Sequence, residues 1–179
     1  MALRAFAPPT DKPLSPERTI ALSGEITSAS VASALGHIHR LQRGFCPDSI
    51  LLHMKSGGGD VVPATILSEY LQRNRNAPIY GFVDSHCRSA ALAILLGCER
   101  RICTPEATFF LHTPTDKDDP LSEKDLMRSV DCHVHALEMP RTDVRMLFAV
   151  GDKRPESICA DRALQLGFVT EIVDEAWSP

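Results

Sequence analysis

The chain has 179 residues, of which 44% are hydrophobic and 23% charged, a composition typical of one globular domain with a sizeable core. The net charge of −4 disfavours a nucleic-acid surface, because phosphate binding requires clustered lysine and arginine. No apolar run is long enough to span a membrane, and the proline-containing first fifteen residues make a poor signal peptide. We therefore expect a cytoplasmic protein that binds neither nucleic acid nor membrane.

The first half of the chain alternates apolar runs typical of strands with amphipathic segments typical of helices. In chain order, the prediction is a strand at 19–22, a helix at 28–43, a strand at 50–54, a helix from Asp60 to Asn74 and a strand at 78–83. This alternation predicts an α/β layered fold, with parallel strands joined by crossover helices. Functional sites in such folds gather at the carboxyl ends of the strands.

The second half begins with a short apolar helix, 90–97, and a strand, 108–111. An acidic loop, 116–120, then leads to a long helical stretch from Ser122 that Pro140 should break or kink. One face of this stretch is apolar, with Leu126, Val130, Val134 and Leu137. An apolar face on a helix that leaves the core needs a partner, which predicts an oligomer. The alternative is that the helix folds back on its own sheet.

A serine and a histidine occupy positions that favour a nucleophile site. Ser89 lies where the strand 78–83 gives way to the helix at Ala90, and His112 ends the next strand. The helix N-terminus offers backbone N–H groups to a developing oxyanion, and the histidine would accept the hydroxyl proton. Taken singly, Ser89 is also typical of a helix N-cap and His112 of a partly buried strand residue.

A glycine-rich segment supplies a third part of the same site. Gly57, Gly58 and Gly59 follow the strand 50–54, so an unhindered backbone could approach a substrate and give a second oxyanion donor. The same residues are also typical of a flexible turn. The order of glycine segment, serine turn and histidine is the order that a crossover fold needs to bring all three to one edge of a sheet.

The cysteines and the remaining histidines indicate no metal site and no cofactor. Six cysteines are scattered without a Cys-x-x-Cys pair, so they are expected to be reduced thiols, with Cys87 buried. His133 and His135 are two residues apart on a predicted helix, which places them on different faces as solvated or interface residues. The sequence also has no nucleotide-binding glycine loop, so any ATP chemistry must belong to a partner.

Several segments resemble the proteolytic subunit of the Clp protease, within the Clp protease and crotonase superfamily. The similar segments are 55–59 to the family's Asn-Ser-Pro-Gly-Gly, 88–92 to its Ala-Ser-Met-Gly-Ala, 110–114 to its Met-Ile-His-Gln-Pro and 160–169 to its closing helix. The resemblance covers about residues 17–174, with a flexible lead at 1–16 and a tail at 175–179. It implies a Clp protease/crotonase-like layered fold of repeated strand-helix units with a protruding handle helix.

The resemblance also implies an activity. Ser89 would be the nucleophile and His112 the base, with the backbone N–H groups of Gly59 and Ala90 as the oxyanion hole. The chain would be a serine endopeptidase that cleaves peptides or unfolded proteins within a homo-oligomer or mixed ring. An ATP-dependent unfoldase is the partner that the family suggests.

The third member of the catalytic triad is where the chain departs from the family. Alignment of the closing helix places Pro155 at the family's aspartate, so Asp152 or the adjacent Glu156 would have to orient His112 after a loop shift. Asp152 is also typical of an ordinary turn residue.

Two alternative functions stay open. Arg88, which replaces a small residue before the serine, supports the hypothesis of a noncatalytic subunit or scaffold. A crotonase-like acyl-CoA enzyme is a further alternative, which the pairing of Ser89 with His112 disfavours.

Overall fold

A computed structural model describes residues 16–43, 49–74, 76–115, 121–153 and 157–173. Except for Pro16, the predicted lead segment 1–16 lies outside these ranges. The predicted tail 175–179 and the acidic loop 116–120 also lie outside them. Among the residues described, no helix combines the length and apolar character that crossing a bilayer requires.

Strands and helices alternate along the described chain. The strands are β1 (Thr19–Ile26), β2 (Ile50–Gly59), β3 (Ile79–Val83), β4 (His86–Arg88), β5 (Arg100–Cys103), β6 (Thr108–Phe110), β7 (Ile158–Cys159) and β8 (Glu171–Ile172). The helices are α1 (Ser28–Gln42), α2 (Val61–Arg73), α3 (Ala90–Gly97), α4 (Glu123–Leu137), α5 (Arg141–Lys153) and α6 (Ala160–Gln165). The predicted α/β layered fold is therefore confirmed.

The long strand β2 organises the sheet, because different parts of it pair with different neighbours. Its first part, Ile50 to His53, pairs with β3, whereas Ser56 further along pairs with β4. The strand order is β7-β6-β4-β2-β3-β5-β8, with β1 also paired to β2. The described pairs are parallel except β6 with β7. The carboxyl ends of β2, β4 and β6 consequently lie side by side, as a shared site requires.

The glycine segment after the predicted strand is itself part of β2. Gly58 pairs with Glu25, and Gly59 pairs with Ile26, both in β1. A Cβ on Gly59 would lie only 2.2 Å from Ile26 O, so this close approach of two strands requires glycine. The alternative of a flexible turn is therefore wrong, because strand pairing fixes the segment.

Helix α3 lies at the centre of the core, and all of its residues are buried. Helix α4 packs on α2 and α3 and buries Val130, which is 1% exposed. The other members of its apolar face, Leu126, Val134 and Leu137, are partly buried against the same core. The apolar face of α4 is thus partly covered by its own chain, and three of its four apolar residues keep some exposed surface.

Both ends of α4 follow the sequence signals. The side chain of Ser122 accepts a hydrogen bond from Asp125 N at 3.2 Å and so caps the helix where the predicted stretch begins. At the other end, Glu138 adopts a left-handed conformation with φ 52°, and α5 begins at Arg141. Pro140 therefore separates two helices, as predicted.

Candidate active site

Ser89 forms a strained turn between β4 and α3, with φ 51° and ψ −125°. A positive φ is uncommon for a residue with a side chain and costs about 1–3 kcal/mol. The turn is fixed on both sides, because Ser89 N donates to Phe110 O at 2.8 Å and Leu92 N donates to Ser89 O at 3.0 Å. Turns of this kind present a nucleophile beyond the end of a strand.

The hydroxyl of Ser89 contacts the ring of His112. Ser89 Oγ lies 2.6 Å from His112 Nε2, whereas the same side chain makes no capping bond to α3. The simple N-cap interpretation of Ser89 is therefore not what the structure shows. The His112 ring stacks on Phe110, with centroids 5.5 Å apart and planes inclined by 22°. When Nε2 accepts the hydroxyl hydrogen, the ring's own hydrogen lies on Nδ1, which is the tautomer of a general base.

Gly58 is the glycine that lies against the nucleophile. A Cβ on Gly58 would be 2.8 Å from Ser89 Cβ, and its φ of 106° also favours glycine. The hydroxyl of Ser56 holds this stretch in place, since it accepts from Gly58 N at 3.1 Å and donates to Gly24 O at 2.5 Å. Strand β2 thus approaches the serine turn closely and with a fixed backbone.

The two residues predicted as oxyanion donors each follow, by one residue, a member of the contact between Gly58 and Ser89. Ala90 is the first residue of α3, so its N–H is among those at the helix end that lack an intrahelical acceptor. Gly59 is one residue beyond Gly58 and packs on Ile26 of the neighbouring strand. The donor roles of Gly59 and Ala90 stay predictions.

Asp152, the predicted third member of the triad, hydrogen-bonds to the residue after His112. Its two carboxylate oxygens accept from Thr113 N at 2.9 Å and Thr113 Oγ1 at 2.5 Å. Within the described ranges, no carboxylate hydrogen-bonds to the His112 ring. Asp152 lies within α5, which continues to Lys153, and not in a loop.

The preceding residue, Gly151, brings α5 against the same segment. A Cβ on Gly151 would lie 1.7 Å from Leu111 O and 3.5 Å from His112 Cα. Glycine at this position therefore permits α5 to contact the backbone of the segment that carries His112. Together, Gly151 and Asp152 form a clamp on residues 111–113, which we call the α5 clamp.

Arg88, the departure beside the nucleophile, points toward β7. Its Nη2 donates to Ser157 Oγ at 3.3 Å, and its buried Nε has no hydrogen-bond partner within the described ranges. The Arg88 guanidinium therefore does not compete with His112 for a hydrogen bond to the hydroxyl of Ser89. Glu156, the other candidate carboxylate, lies outside the described residues.

His133 was predicted to be a solvated or interface residue, and this prediction is wrong. The ring is 2% exposed, its Nδ1 lies 2.9 Å from Ser129 O, and it meets Phe148 edge-on at 5.0 Å. The sequence did contain a signal for the burial of His133. This residue is three positions after Val130 and four before Leu137, so helical spacing places it on the apolar face of α4. Its companion His135 is exposed, as expected.

Cys87, two residues before the nucleophile, is a buried core thiol as predicted. Burial raises its pKa strongly, and the nearby Cys98 adds to the shift. The thiol is therefore protonated and unreactive at neutral pH. The serine hydroxyl, and not this sulfur, is the nucleophile that the geometry offers.

The fold is that of a layered α/β protein, and in it the hydroxyl of Ser89 contacts the ring of His112 at the carboxyl ends of neighbouring strands. The sequence profile of the Clp protease family matches residues 10–176, which is most of the chain. The chain belongs to the Clp protease family. Among curated protein sequences, none matches the chain.

Solved structures with the same fold include ClpP proteases. The chain superimposes on ClpP1 from Listeria monocytogenes with a TM-score of 0.74 and 18% identity, covering 90% of this chain and 95% of that one. The ClpP protease catalytic domain from Plasmodium falciparum gives a TM-score of 0.73 and 15% identity, covering 88% of this chain and 86% of that one. At these identities the likeness shows the fold, and it confirms the layered Clp protease/crotonase-like architecture.

Proposed function

We propose that the protein is a Clp-like serine endopeptidase, with Ser89 as nucleophile and His112 as general base. The observation that carries this proposal is the 2.6 Å contact between Ser89 Oγ and His112 Nε2 at a strained strand-to-helix turn. Membership of the Clp protease family supports a peptide bond as the bond that is cleaved.

The proposed reaction follows from the positions of these groups. Ser89 Oγ attacks the peptide carbonyl carbon while His112 Nε2 takes the hydroxyl proton. The carbonyl oxygen becomes an oxyanion, and the backbone N–H groups of Gly59 and Ala90 are its proposed donors. His112 then gives its proton to the departing amine as the C–N bond breaks, and a water molecule releases the acyl group by the same steps in reverse. The α5 clamp positions His112 through the backbone during this cycle.

The proposed substrates are peptides or unfolded proteins. Family membership supports a homo-oligomeric or mixed ring that encloses the site, with an ATP-dependent unfoldase as a partner and a cytoplasmic location. The core of the same chain buries Val130 and covers part of the other apolar residues of α4, so some apolar surface of this helix stays exposed for a subunit contact.

One observation favours a second function, that of a noncatalytic subunit. Within the described ranges, His112 has no carboxylate partner, and a serine–histidine pair alone is a weaker nucleophile system than a triad. In that case the protein would serve a ring by pairing with an active subunit. The crotonase-like alternative has less support, because acyl-CoA chemistry on this fold would not need a serine hydroxyl bonded to a histidine.

Hydrolysis of a fluorogenic peptide or of casein tests the proposal. Wild-type protein should hydrolyse the substrate, and Ser89→Ala should abolish this activity. The matched control is Ser85→Ala, because Ser85 Oγ also contacts a histidine nitrogen, His86 Nδ1, at 2.9 Å, but Ser85 precedes β4 and not a helix. Equal activity of wild-type protein and Ser89→Ala would contradict the proposal.

A further inference from the structure

One face of the sheet beside the nucleophile keeps contact with solvent. Successive residues of a strand point to opposite faces, and on β2, β4 and β6 those that face the core are buried, namely Ser56, Cys87 and Phe109. The residues next to them point to the other face and are exposed or half-buried, namely Lys55, His86, Arg88, Thr108 and Phe110. A peptide can therefore approach the sheet from this side.

Arg88 lies on this open face, next to the reacting groups. It precedes Ser89 and pairs with Phe110 of β6, so the two side chains project from neighbouring strands that are about 5 Å apart. The Phe110 ring stacks on the ring of His112, whose Nε2 contacts the Ser89 hydroxyl. An extended peptide advances about 3.3 Å per residue, so a long side chain one or two residues from a bond held at Ser89 comes within reach of Arg88.

The described residues do not neutralise the charge of Arg88. Its Nη2 donates to Ser157 Oγ at 3.3 Å, its Nε has no hydrogen-bond partner, and no described carboxylate forms an ion pair with it. Strands β2, β4, β6 and β7 contain no aspartate or glutamate, and their other cation is Lys55. Glu25 of β1 lies across β2, on the side away from β4. A guanidinium in such surroundings favours a carboxylate ligand, whose two oxygens match its N–H donors.

We propose that Arg88 selects acidic substrates by binding a peptide carboxylate, that of an aspartate or glutamate residue within two positions of the scissile bond. The inference rests on the proposed peptidase function, because Arg88 adjoins the nucleophile of that reaction. Glutamine has the shape of glutamate, but it has one acceptor oxygen and no charge, so it binds the guanidinium more weakly. Arg88 then changes the specificity of the site and does not disable it.

Peptide binding to Ser89→Ala protein tests this inference without requiring turnover. The probes are acetyl-Ala-Glu-Leu-Ala-Glu-Ala-amide and its counterpart with glutamine at both acidic positions, measured by calorimetry or NMR titration. We expect the acidic peptide to bind about tenfold more tightly at low salt, and the ratio to fall as salt screens the charges. Adding Arg88→Gln should reduce the ratio to about one. Arg88→Lys should keep part of it, because lysine retains the charge but lacks the planar fork.

The matched control is Arg40→Gln, since Arg40 is exposed on α1 and its loss should leave the ratio unchanged. Equal affinities for the two peptides or no binding of either would overturn the inference. A preference that survives Arg88→Gln but disappears in Lys55→Gln would also overturn it, because Lys55 would then be the residue that binds the carboxylate.

Reaction of wild-type Ser89 with a fluorophosphonate tests the peptidase function separately. A protein that labels at Ser89 but binds both peptides equally keeps that function and loses the role of Arg88. One that prefers the acidic peptide through Arg88 without labelling keeps the role and loses the function.

Discussion

The carboxylate of Asp152 is hydrogen-bonded to Thr113, the residue that follows His112, through both Thr113 N and Thr113 Oγ1. Asp152 therefore acts on the backbone that carries the histidine and not on the imidazole ring. An aspartate bonded directly to the ring fixes its tautomer, whereas one bonded to the next residue fixes only its position. The two arrangements predict different losses on mutation.

We expect Asp152→Asn to lower kcat by about tenfold, because the asparagine oxygen still accepts from Thr113 N while the charge is lost. Replacement of a triad aspartate that contacts the ring lowers kcat by about 10⁴. Peptide hydrolysis measured at fixed pH distinguishes these outcomes. A loss near 10⁴ would show that Asp152 reaches His112 in the active protein. A loss of that size in Glu156→Gln, with a mild effect in Asp152→Asn, would assign the triad role to Glu156.

The α5 clamp predicts that Gly151 tolerates no side chain. Because the Cβ of Gly151→Ala would lie 1.7 Å from Leu111 O, α5 must move away from the histidine segment. We expect a loss of about 1–3 kcal/mol in stability together with reduced activity, measured by urea unfolding and peptide hydrolysis. The matched control is Gly57→Ala, since a Cβ on Gly57 would meet nothing within 4 Å. Equal effects of the two variants would contradict the clamp.

The burial of the His133 ring predicts that the protein loses stability in acid. Burial lowers the pKa of its ring from 6.5, so below that pH the unfolded chain binds a proton that the folded chain does not. The free energy of unfolding should therefore fall as the pH drops from 6.5 toward 5. His133→Leu should remove part of this dependence, whereas His135→Leu should retain it. Urea unfolding at several pH values measures the effect, and identical slopes for the two variants would refute it.

The position of Val130 predicts that a charge there unfolds the subunit. Val130→Asp would bury an unpaired carboxylate in the core and should lower the Tm sharply. Met146→Glu is the control, because Met146 is 60% exposed on α5 and its variant should keep the fold.

Native mass spectrometry of wild-type protein should find a multiple of 19.6 kDa if the proposed ring forms. A strictly monomeric chain would remove the ring from the proposal.

The main elements of the fold were predictable because their periodicity is strong. The apolar runs of β2 and β3, the amphipathic pattern of α1 and the start and end of α4 all lie within single stretches of sequence. The short strands β4, β5, β7 and β8 were missed because so few residues carry little pattern, whereas β6 was predicted from the longer apolar run 108–111. Their pairing depends on distant strands that bring them into the sheet.

Within the site, the sequence indicated the serine and the histidine but not their neighbours. Ser89 and His112 lie at element boundaries that local patterns reveal. The partner of Asp152 depends on where α5 ends relative to Thr113, and that position reflects tertiary packing such as the close approach of Gly151 to Leu111. Local sequence does not encode such a distance between two elements.

The formation of a covalent adduct at Ser89 tests the central claim most directly. Wild-type protein treated with a fluorophosphonate should gain one adduct, which peptide mass mapping should place on Ser89. Ser89→Ala should remove it, Ser85→Ala should retain it, and His112→Ala should slow the reaction by about 10²–10⁴ because the serine loses its base. No adduct, or an adduct on another residue, would contradict the account of Ser89 as an activated nucleophile.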